Sequence, residues 1–269
     1  MSYTPPTMPP LPGERPQSRR VHSEARWTAR RLSRPRSQSL ASRLTRRFEI
    51  EWLSETGIES AIRVAPALPV FEQAFGAFAH GVLIQTSEGP VAVEDLVPGM
   101  YLECAGGRSA QLLWKGAITL VPGAPSMSEI PDRLYRVMPD AFGLGRPVQD
   151  QTFGPHARRF DRDPKVRAAL GSEAALVPMS AASDGMSVIE VNPVAATRVY
   201  HLACENHETI LAAGLEVETY HPGPDAALSL SEEMMQHFLM FFPYIRNIRD
   251  FGRLTAPRIS ATELESLTF

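Results

Sequence analysis

The stretch FAHGVLIQTSEGPVAVEDLVPG, residues 78–99, decides the fold class of this chain. Residues 82–86 form a short apolar run of the kind that favours a strand, and the Gly-Pro pair at residues 89–90 is a turn signal. A second short element at residues 91–96 ends at another turn, the Pro-Gly pair at residues 98–99. The stretch therefore predicts short strands joined by tight turns.

The same pattern continues towards residue 223. A Gly-Gly pair at residues 106–107 is typical of a hairpin, and residues 134–137, 187–191 and 198–202 are rich in strand-forming side chains. Many short strands separated by glycine and proline turns indicate a sandwich or a barrel-like body. We expect an all-β domain.

Four segments of this body resemble the motifs of one family. Residues 78–99 resemble the opening of a bacterial Hint (hedgehog/intein-like) domain, and residues 113–116 (LWKG) and 154–158 (GPHAR) are similar to its internal motifs. Residues 199–223 (VYHLACENHETILAAGLEVETYHPG) resemble its closing segment. The resemblance implies a Hint-like horseshoe of short strands with pseudo-twofold halves, over residues 75–223.

The resemblance also implies a chemistry, and this chain departs from it. In the family a Cys or Ser attacks the carbonyl group of the residue before it, and a downstream His acts as general acid–base. The nucleophile position falls here on Ala77, and the histidine position on Ala157, with His156 one residue early. In a strand, such a shift would turn the side chain to the opposite face. Residues 218–220 also lack the terminal Asn of inteins, so the resemblance implies a degenerate autoprocessing site.

Three histidines remain as candidates for a modified site. His80 is either a compensating group or an exposed turn residue, and His156 is either retained in the pocket or a loop residue. His207 matches a position of the family, where it has a pocket role or makes a structural hydrogen bond. Their spacing contains no short-range ligand pair of the kind that binds zinc. We expect no metal and no cofactor.

The two cysteines, Cys104 and Cys204, are too few for a disulfide scaffold and form no Cys-x-x-Cys pair. Their flanking residues predict that both are reduced thiols packed in strands. The alternative is that one of them acts as a displaced nucleophile.

The segments before residue 75 differ in composition from the body. Residues 1–47 are rich in proline and arginine, which predicts a disordered basic arm. Residues 48–61 have a weak helical pattern, followed by a proline-containing linker, so residues 48–74 are predicted to be a short helix and a linker.

The charge of the arm suggests partners. The arm is strongly basic, because its acidic residues are Glu14 and Glu24 alone, whereas the whole chain has a net charge of −3. Its eleven arginines are Arg15, Arg19, Arg20, Arg26, Arg30, Arg31, Arg34, Arg36, Arg43, Arg46 and Arg47. Such an arm can bind nucleic acid, an acidic lipid surface or the acidic remainder of the chain. Its composition also matches a transit peptide, but no secretory signal or transmembrane run is recognised, and we expect a cytoplasmic protein.

The last segment, residues 224–269, has a helical pattern. Ser229 or Ser231 can cap a helix that carries Glu232 and Glu233 in its first turn. An apolar stripe then ends at Pro243, and its members are Met234, Met235, Phe238, Leu239, Phe241 and Phe242. We expect this helix to pack on the β body, the alternative being a docking helix for a partner or a membrane surface.

The sequence thus leaves three hypotheses for function. The first is a non-catalytic Hint-fold protein, not an enzyme, that acts as an interaction module for a protein partner not named by the sequence. The second is an autoprocessing Hint domain that uses substitute residues for its acyl shift. The third is binding of a polyanion by the arginine-rich arm.

Overall fold

A computed structural model describes Met1 and residues 44–124, 132–223 and 230–266. The predicted basic arm falls outside the described residues except for Met1 and residues 44–47. The disorder and the polyanion binding predicted for the arm therefore stay predictions.

Strands dominate the part of the chain that the structure describes. The strands are β1 (Thr45–Ser54), β2 (Gly57–Pro66), β3 (Phe78–Ala79), β4 (Leu83–Thr86), β5 (Gly89–Ala92), β6 (Tyr101–Cys104), β7 (Arg108–Leu120), β8 (Leu134–Val137), β9 (Gln151–Phe153), β10 (Arg158–Asp161), β11 (Ala175–Pro178), β12 (Val188–Val191), β13 (Thr197–Cys204), β14 (Thr209–Ala212) and β15 (Leu215–Glu218). The α-helices are α1 (Pro69–Glu72), α2 (Pro164–Leu170), α3 (Glu232–Leu239) and α4 (Ala261–Ser266). Short 3₁₀ helices lie at Val93–Asp95, Met179–Ala182 and Ile248–Phe251. The predicted all-β class, with short strands and a C-terminal helix, is confirmed.

The long strand β7 joins the two halves of the sheet. Its first residues pair with β6, and its later residues pair with β13 on one side and with β1 on the other. The strand order along the sheet is β11-β10-β15-β14-β4-β6-β7-β13-β3-β9-β8-β12, with β5 on β4 and β2 on β1. All of these pairings are antiparallel, as the short turns between successive strands allow. β3, which carries the start of the domain, lies between β13 and β9.

The helix predicted over residues 48–61 is wrong, because these residues form most of the β1–β2 hairpin. Phe48, Ile50 and Trp52 are buried while the residues between them are partly exposed, which is the period of two that a strand requires. The predicted arm also ended too late, since residues 45–47 already belong to β1. Pairing of β1 with β7 supplies the tertiary contacts that override the weak helical pattern.

The C-terminal helix α3 packs on the β body as expected. The side chain of Ser231 caps it by accepting a hydrogen bond from the backbone N–H of Met234. A single aromatic cluster joins this helix to the hairpin and to β7, and its fully buried members are Phe48, Phe71, Phe75, Trp114, Phe238, Phe241 and Phe242. Trp114 donates its indole N–H to the carbonyl oxygen of Phe241 at 2.7 Å. The segments on both sides of the domain therefore share a core with it.

Among the described residues, none of the helices has the length and apolar character that crossing a membrane requires.

Replacing Phe241 by Ala should lower the free energy of unfolding by about 3–5 kcal/mol, because the ring contacts Phe48, Phe71 and Phe75 and leaves a cavity when removed. Met240→Ala is the matched control, since the Met240 side chain is 46 % exposed, and its effect should stay within about 0.5 kcal/mol. Denaturant unfolding of the three proteins measures both. Equal effects of the two substitutions would contradict the shared core.

Candidate functional site

The peptide bond between Gly76 and Ala77 lies directly before β3, and its polar atoms are bound by neighbouring backbone. The carbonyl oxygen of Gly76 accepts a hydrogen bond from the N–H of His156 at 2.9 Å. The N–H of Ala77 donates to the carbonyl oxygen of Tyr200 at 2.9 Å, and the carbonyl oxygen of Ala77 accepts from the N–H of Gly154 at 2.8 Å. The Ala77 side chain is fully buried in the main apolar core. The bond expected to be reactive in the family is thus held like an ordinary buried strand residue.

Gly154 approaches this peptide bond more closely than any other residue type allows. A Cβ atom at Gly154 would lie 2.4 Å from the carbonyl oxygen of Gly76 and 2.8 Å from its carbonyl carbon. Likewise, a Cβ atom at Gly76 would lie 2.8 Å from Cδ2 of the His156 ring. Both distances are below van der Waals contact, so the absence of a side chain at both positions lets the two segments meet.

His156 faces this bond. The resemblance implied that the family's histidine position is residue 157, which is an alanine in this chain. Residues 155–156 form a turn, so the alternation of a strand does not apply to them. The side chain of Ala157 is buried in the main core, whereas the ring of His156 lies against Gly76. The expectation that a one-residue shift carries His156 away from the site is therefore wrong, because it assumed a strand at this point.

A small polar cavity adjoins the same turn. Its volume of about 30 Å³ exceeds the roughly 10–15 Å³ that a single water molecule needs. The lining residues are Gln73, His156, Arg158, His201, Glu218, Tyr220, His221 and Arg258. The cavity has room for water beside the bond but not for a larger ligand.

Glu218 is the charged centre of this cluster. Its carboxylate lies 3.2 Å from Nε of Arg258, 3.7 Å from Nε of Arg158 and 3.4 Å from Nε2 of His207. Burial alone would raise the pKa of Glu218, but Arg258, His207 and Arg158 outweigh it and lower the pKa to about 2. Glu218 therefore stays ionised at neutral pH, and it serves as an anchor for cations rather than as a proton donor.

In each of three buried histidines, one ring nitrogen accepts a hydrogen bond from a backbone N–H. Nδ1 of His201 accepts from the N–H of Leu202 at 3.1 Å, and Nδ1 of His207 accepts from the N–H of Thr255 at 3.0 Å. Nδ1 of His221 accepts from the N–H of Gly223 at 2.9 Å. A neutral imidazole with Nδ1 as acceptor carries its proton on Nε2, so none of these rings has a free lone pair to act as a base.

The ring of His156 lies against Gly76 and lines the cavity. Burial, with Arg158 and Arg46 nearby, lowers the pKa of His156 to about 3. Burial also lowers the pKa of His201 to about 3 and that of His221 to about 4. All three rings are neutral at physiological pH.

The remaining sequence candidates lie elsewhere. The His80 side chain is 64 % exposed, and its Nδ1 lies 3.1 Å from a carboxylate oxygen of Glu94, so it is a surface residue outside this cluster. Cys104 and Cys204 are buried free thiols in β6 and β13. The structure places His156 against Gly76, the residue before Ala77, and links His207 to the cavity through Glu218. Within the described residues, no group of three or more His, Cys, Asp or Glu side chains is arranged to hold a metal ion.

Sequence reasoning missed His201, Glu218, His221 and the two arginines of the cavity. The first three lie in the closing segment, residues 199–223. Two of them, His201 and Glu218, belong to β13 and β15, and their inward positions on these strands are the signal that could have found them. Arg258 lies beyond the resemblance, and its segment reaches the site by backbone hydrogen bonds with Leu176. No pattern in the sequence points to that contact.

The chain was compared with known protein families and solved structures. A family model described as "Hint domain" matches residues 76–224. A solved structure of a bacterial intein-like domain from Clostridium thermocellum is similar, with 11 % identity and a TM-score of 0.38, and the match covers 54 % of this chain and 99 % of that one. None of the curated proteins matches this chain.

The buried histidines make the free energy of unfolding depend on pH, and their lowered pKa values determine the direction of that dependence. Below about pH 6.5 the unfolded chain protonates His156, His201 and His221 while the folded chain does not, so the free energy of unfolding should fall as the pH decreases. Each ring lowers the free energy of unfolding by up to about 1.4 kcal/mol for each pH unit of acidification.

His201→Asn tests this expectation, since the Asn side chain can still accept from Leu202. The slope of the free energy of unfolding between pH 6.5 and pH 5 should become shallower by about one proton's contribution. The same pair of proteins at pH 8 is the control, because packing losses appear there without titration. An unchanged slope would contradict a neutral buried His201.

Proposed function

Since this chain belongs to the Hint domain family, we propose that it is a non-catalytic member that keeps its own peptide bonds intact and acts as an interaction module. The observation that carries this proposal is the methyl group of Ala77 at the position of the family's nucleophile. An acyl shift requires a side-chain sulfur or oxygen that attacks the preceding carbonyl carbon and receives the acyl group as the C–N bond breaks. Alanine offers no such atom.

The cysteines do not replace the absent nucleophile. Burial raises the pKa of the Cys104 thiol to about 11 and raises the pKa of the Cys204 thiol as well. Both thiols are therefore protonated at neutral pH, and the thiolate is the nucleophilic form. Both also lie in paired strands, with Cys204 opposite Leu112 of β7.

The segment before Gly76 supports the same proposal, because it is built into the fold. β1 pairs with β7 over four residues, and Nε of Arg46 lies 3.0 Å from a carboxylate oxygen of the buried Glu72. Phe75, the residue next to Gly76, is fully buried against Trp114. These contacts suit a permanent part of the structure rather than a segment that self-cleavage releases.

The second candidate function is self-cleavage with substitute residues, and His156 favours it. Its ring lies against Gly76, and its backbone N–H donates to the Gly76 carbonyl oxygen, which is where negative charge would develop during attack. Attack by a water molecule in the adjoining cavity would use these groups without a side-chain nucleophile. The integrity of the wild-type chain separates this function from the proposed one.

Intact mass spectrometry after incubation with dithiothreitol decides between them. We expect the wild-type chain to keep its full mass, and Ala77→Cys to show thiol-dependent cleavage after residue 76, because the new sulfur meets a carbonyl group already polarised by His156. Adding His156→Ala to that variant keeps this backbone N–H but removes the imidazole, the candidate general acid for the leaving amine, and should slow cleavage by about 10²-fold, the lower end of general acid–base contributions.

Ala79→Cys is the matched control, since Ala79 is an equally buried residue in β3 but is two positions away from the bond. It should stay intact with dithiothreitol. Cleavage of the wild-type chain at residue 76 would overturn the proposed function. An Ala77→Cys chain as inert as Ala79→Cys would show that Ala77 is not the position that silences the site.

A further inference from the structure

We propose that the partner of this interaction module is a second copy of the chain, joined to the first through an antiparallel pair of β2 strands with a two-fold axis at Ala61. The inference rests on the proposed function and deepens it by assigning the surface and the partner. It is carried by the free edge of β2, by the apolar residues on that edge, and by the order of charges along it.

β2 offers a long unpaired edge. Within the described residues it pairs with β1 alone, in a register that matches all ten of its residues, Gly57–Pro66. The N–H of Ala67 donates to the carbonyl oxygen of Leu44 in the same register, so the odd-numbered residues direct their backbone groups towards β1. The backbone N–H and C=O groups of residues 58, 60, 62 and 64 consequently point outward, ready to pair with another strand.

Three of these four outward residues are large and apolar. Ile58, Ile62 and Val64 are 54 %, 55 % and 71 % exposed, and they share the face of the hairpin that lies away from the aromatic cluster. Natural edge strands are often blunted by a central proline or a bulge, whereas β2 has its only proline at its last residue, Pro66, and pairs with β1 without a register shift. An edge of this length and composition is a template for strand addition.

The charges on β2 favour self-pairing over addition of an unrelated strand. When two antiparallel copies of β2 are centred on Ala61, Glu59 of each copy lies opposite Arg63 of the other, and Ile58 lies opposite Val64. Within the described residues, Arg63 has no ion-pair partner in its own chain. Unlike charges directly across a strand pair stabilise it, and the small side chain of Ala61 leaves the axis free of steric conflict.

Backbone hydrogen bonding between the two strands also favours this register. It pairs all four outward residues, 58, 60, 62 and 64, with outward residues of the second copy, and places residues 59, 61 and 63 in the closer, non-hydrogen-bonded pairs. A shift by two residues in either direction leaves one outward residue unpaired and separates Glu59 from Arg63. The dimer is then isologous, because each copy contributes the same surface.

Charge exchange in the full-length chain tests the inference by sedimentation equilibrium over a concentration series. The wild type should dimerise. Glu59→Arg and Arg63→Glu should each raise the dissociation constant about tenfold, because each places like charges opposite each other twice at the interface. The double variant Glu59→Arg/Arg63→Glu should recover the wild-type constant, and so should an equimolar mixture of the two single variants.

Glu55→Arg is the matched control, since Glu55 is an exposed residue in the turn between β1 and β2 and changes the net charge by the same amount. It should dimerise like the wild type. Ile62→Pro should abolish the dimer, because it removes an outward N–H without removing a bond to β1.

A monomeric wild type at all concentrations would overturn the inference, as would single charge variants that dimerise normally or a mixture that does not recover. Mass spectrometry of the same samples reports separately on the proposed function. A monomer with an intact Gly76–Ala77 bond refutes the dimer alone, and a cleaved chain refutes the non-catalytic role whatever its oligomeric state.

Discussion

The packing of Trp114 is the interaction on which the rest of this structure depends. Its ring lies 5.3 Å from that of Phe75 and 4.6 Å from that of Phe242, and its indole N–H is bound to the carbonyl oxygen of Phe241. One side chain of β7 thereby fixes the segment before the domain and the segment after it. Because Phe75 precedes Gly76 directly, the same packing determines where the Gly76–Ala77 peptide bond enters the sheet. The geometry of the site follows from an aromatic core, and not from the polar groups around the bond.

The polar groups have a structural use of their own in this chain. Nδ1 of each of His201, His207 and His221 accepts a hydrogen bond from a backbone N–H. Glu218 forms ion pairs with two arginines, one of which belongs to the C-terminal extension. These hydrogen bonds and ion pairs connect the closing strands with the C-terminal extension and favour one arrangement of them. None of these bonds involves the side chain at position 77. The cluster therefore does not depend on a nucleophile there, which is compatible with the proposed non-catalytic function.

Local patterns predicted much of the fold, and they were wrong where tertiary contacts decide the outcome. The glycine and proline turns of residues 78–99 and the capped helix after Ser231 could be predicted because turn and cap chemistry is local. The strand at residues 48–54 was taken for a helix, although Phe48, Ile50 and Trp52 alternate with polar residues, because a pairing partner sixty residues later is not visible in the pattern. His156 was placed on the wrong face because a turn was assumed to be a strand. Arg258 lies outside the resemblance, so only the folded chain shows that it reaches Glu218.

The hairpin that precedes the domain connects the site with the surface proposed for dimerisation. β1 uses one edge to pair with β7 and the other to pair with β2, so β2 is an edge strand among the residues that the structure describes. Breaking the Gly76–Ala77 bond would leave the hairpin attached by non-covalent contacts alone, and a strand added to β2 would then bind a segment that is no longer covalently linked to the domain. An intact bond makes the hairpin a fixed part of the domain, which is what a surface that joins two chains requires. The proposed non-catalytic role and the proposed use of the β2 edge are therefore physically compatible, because an intact bond holds the hairpin in place.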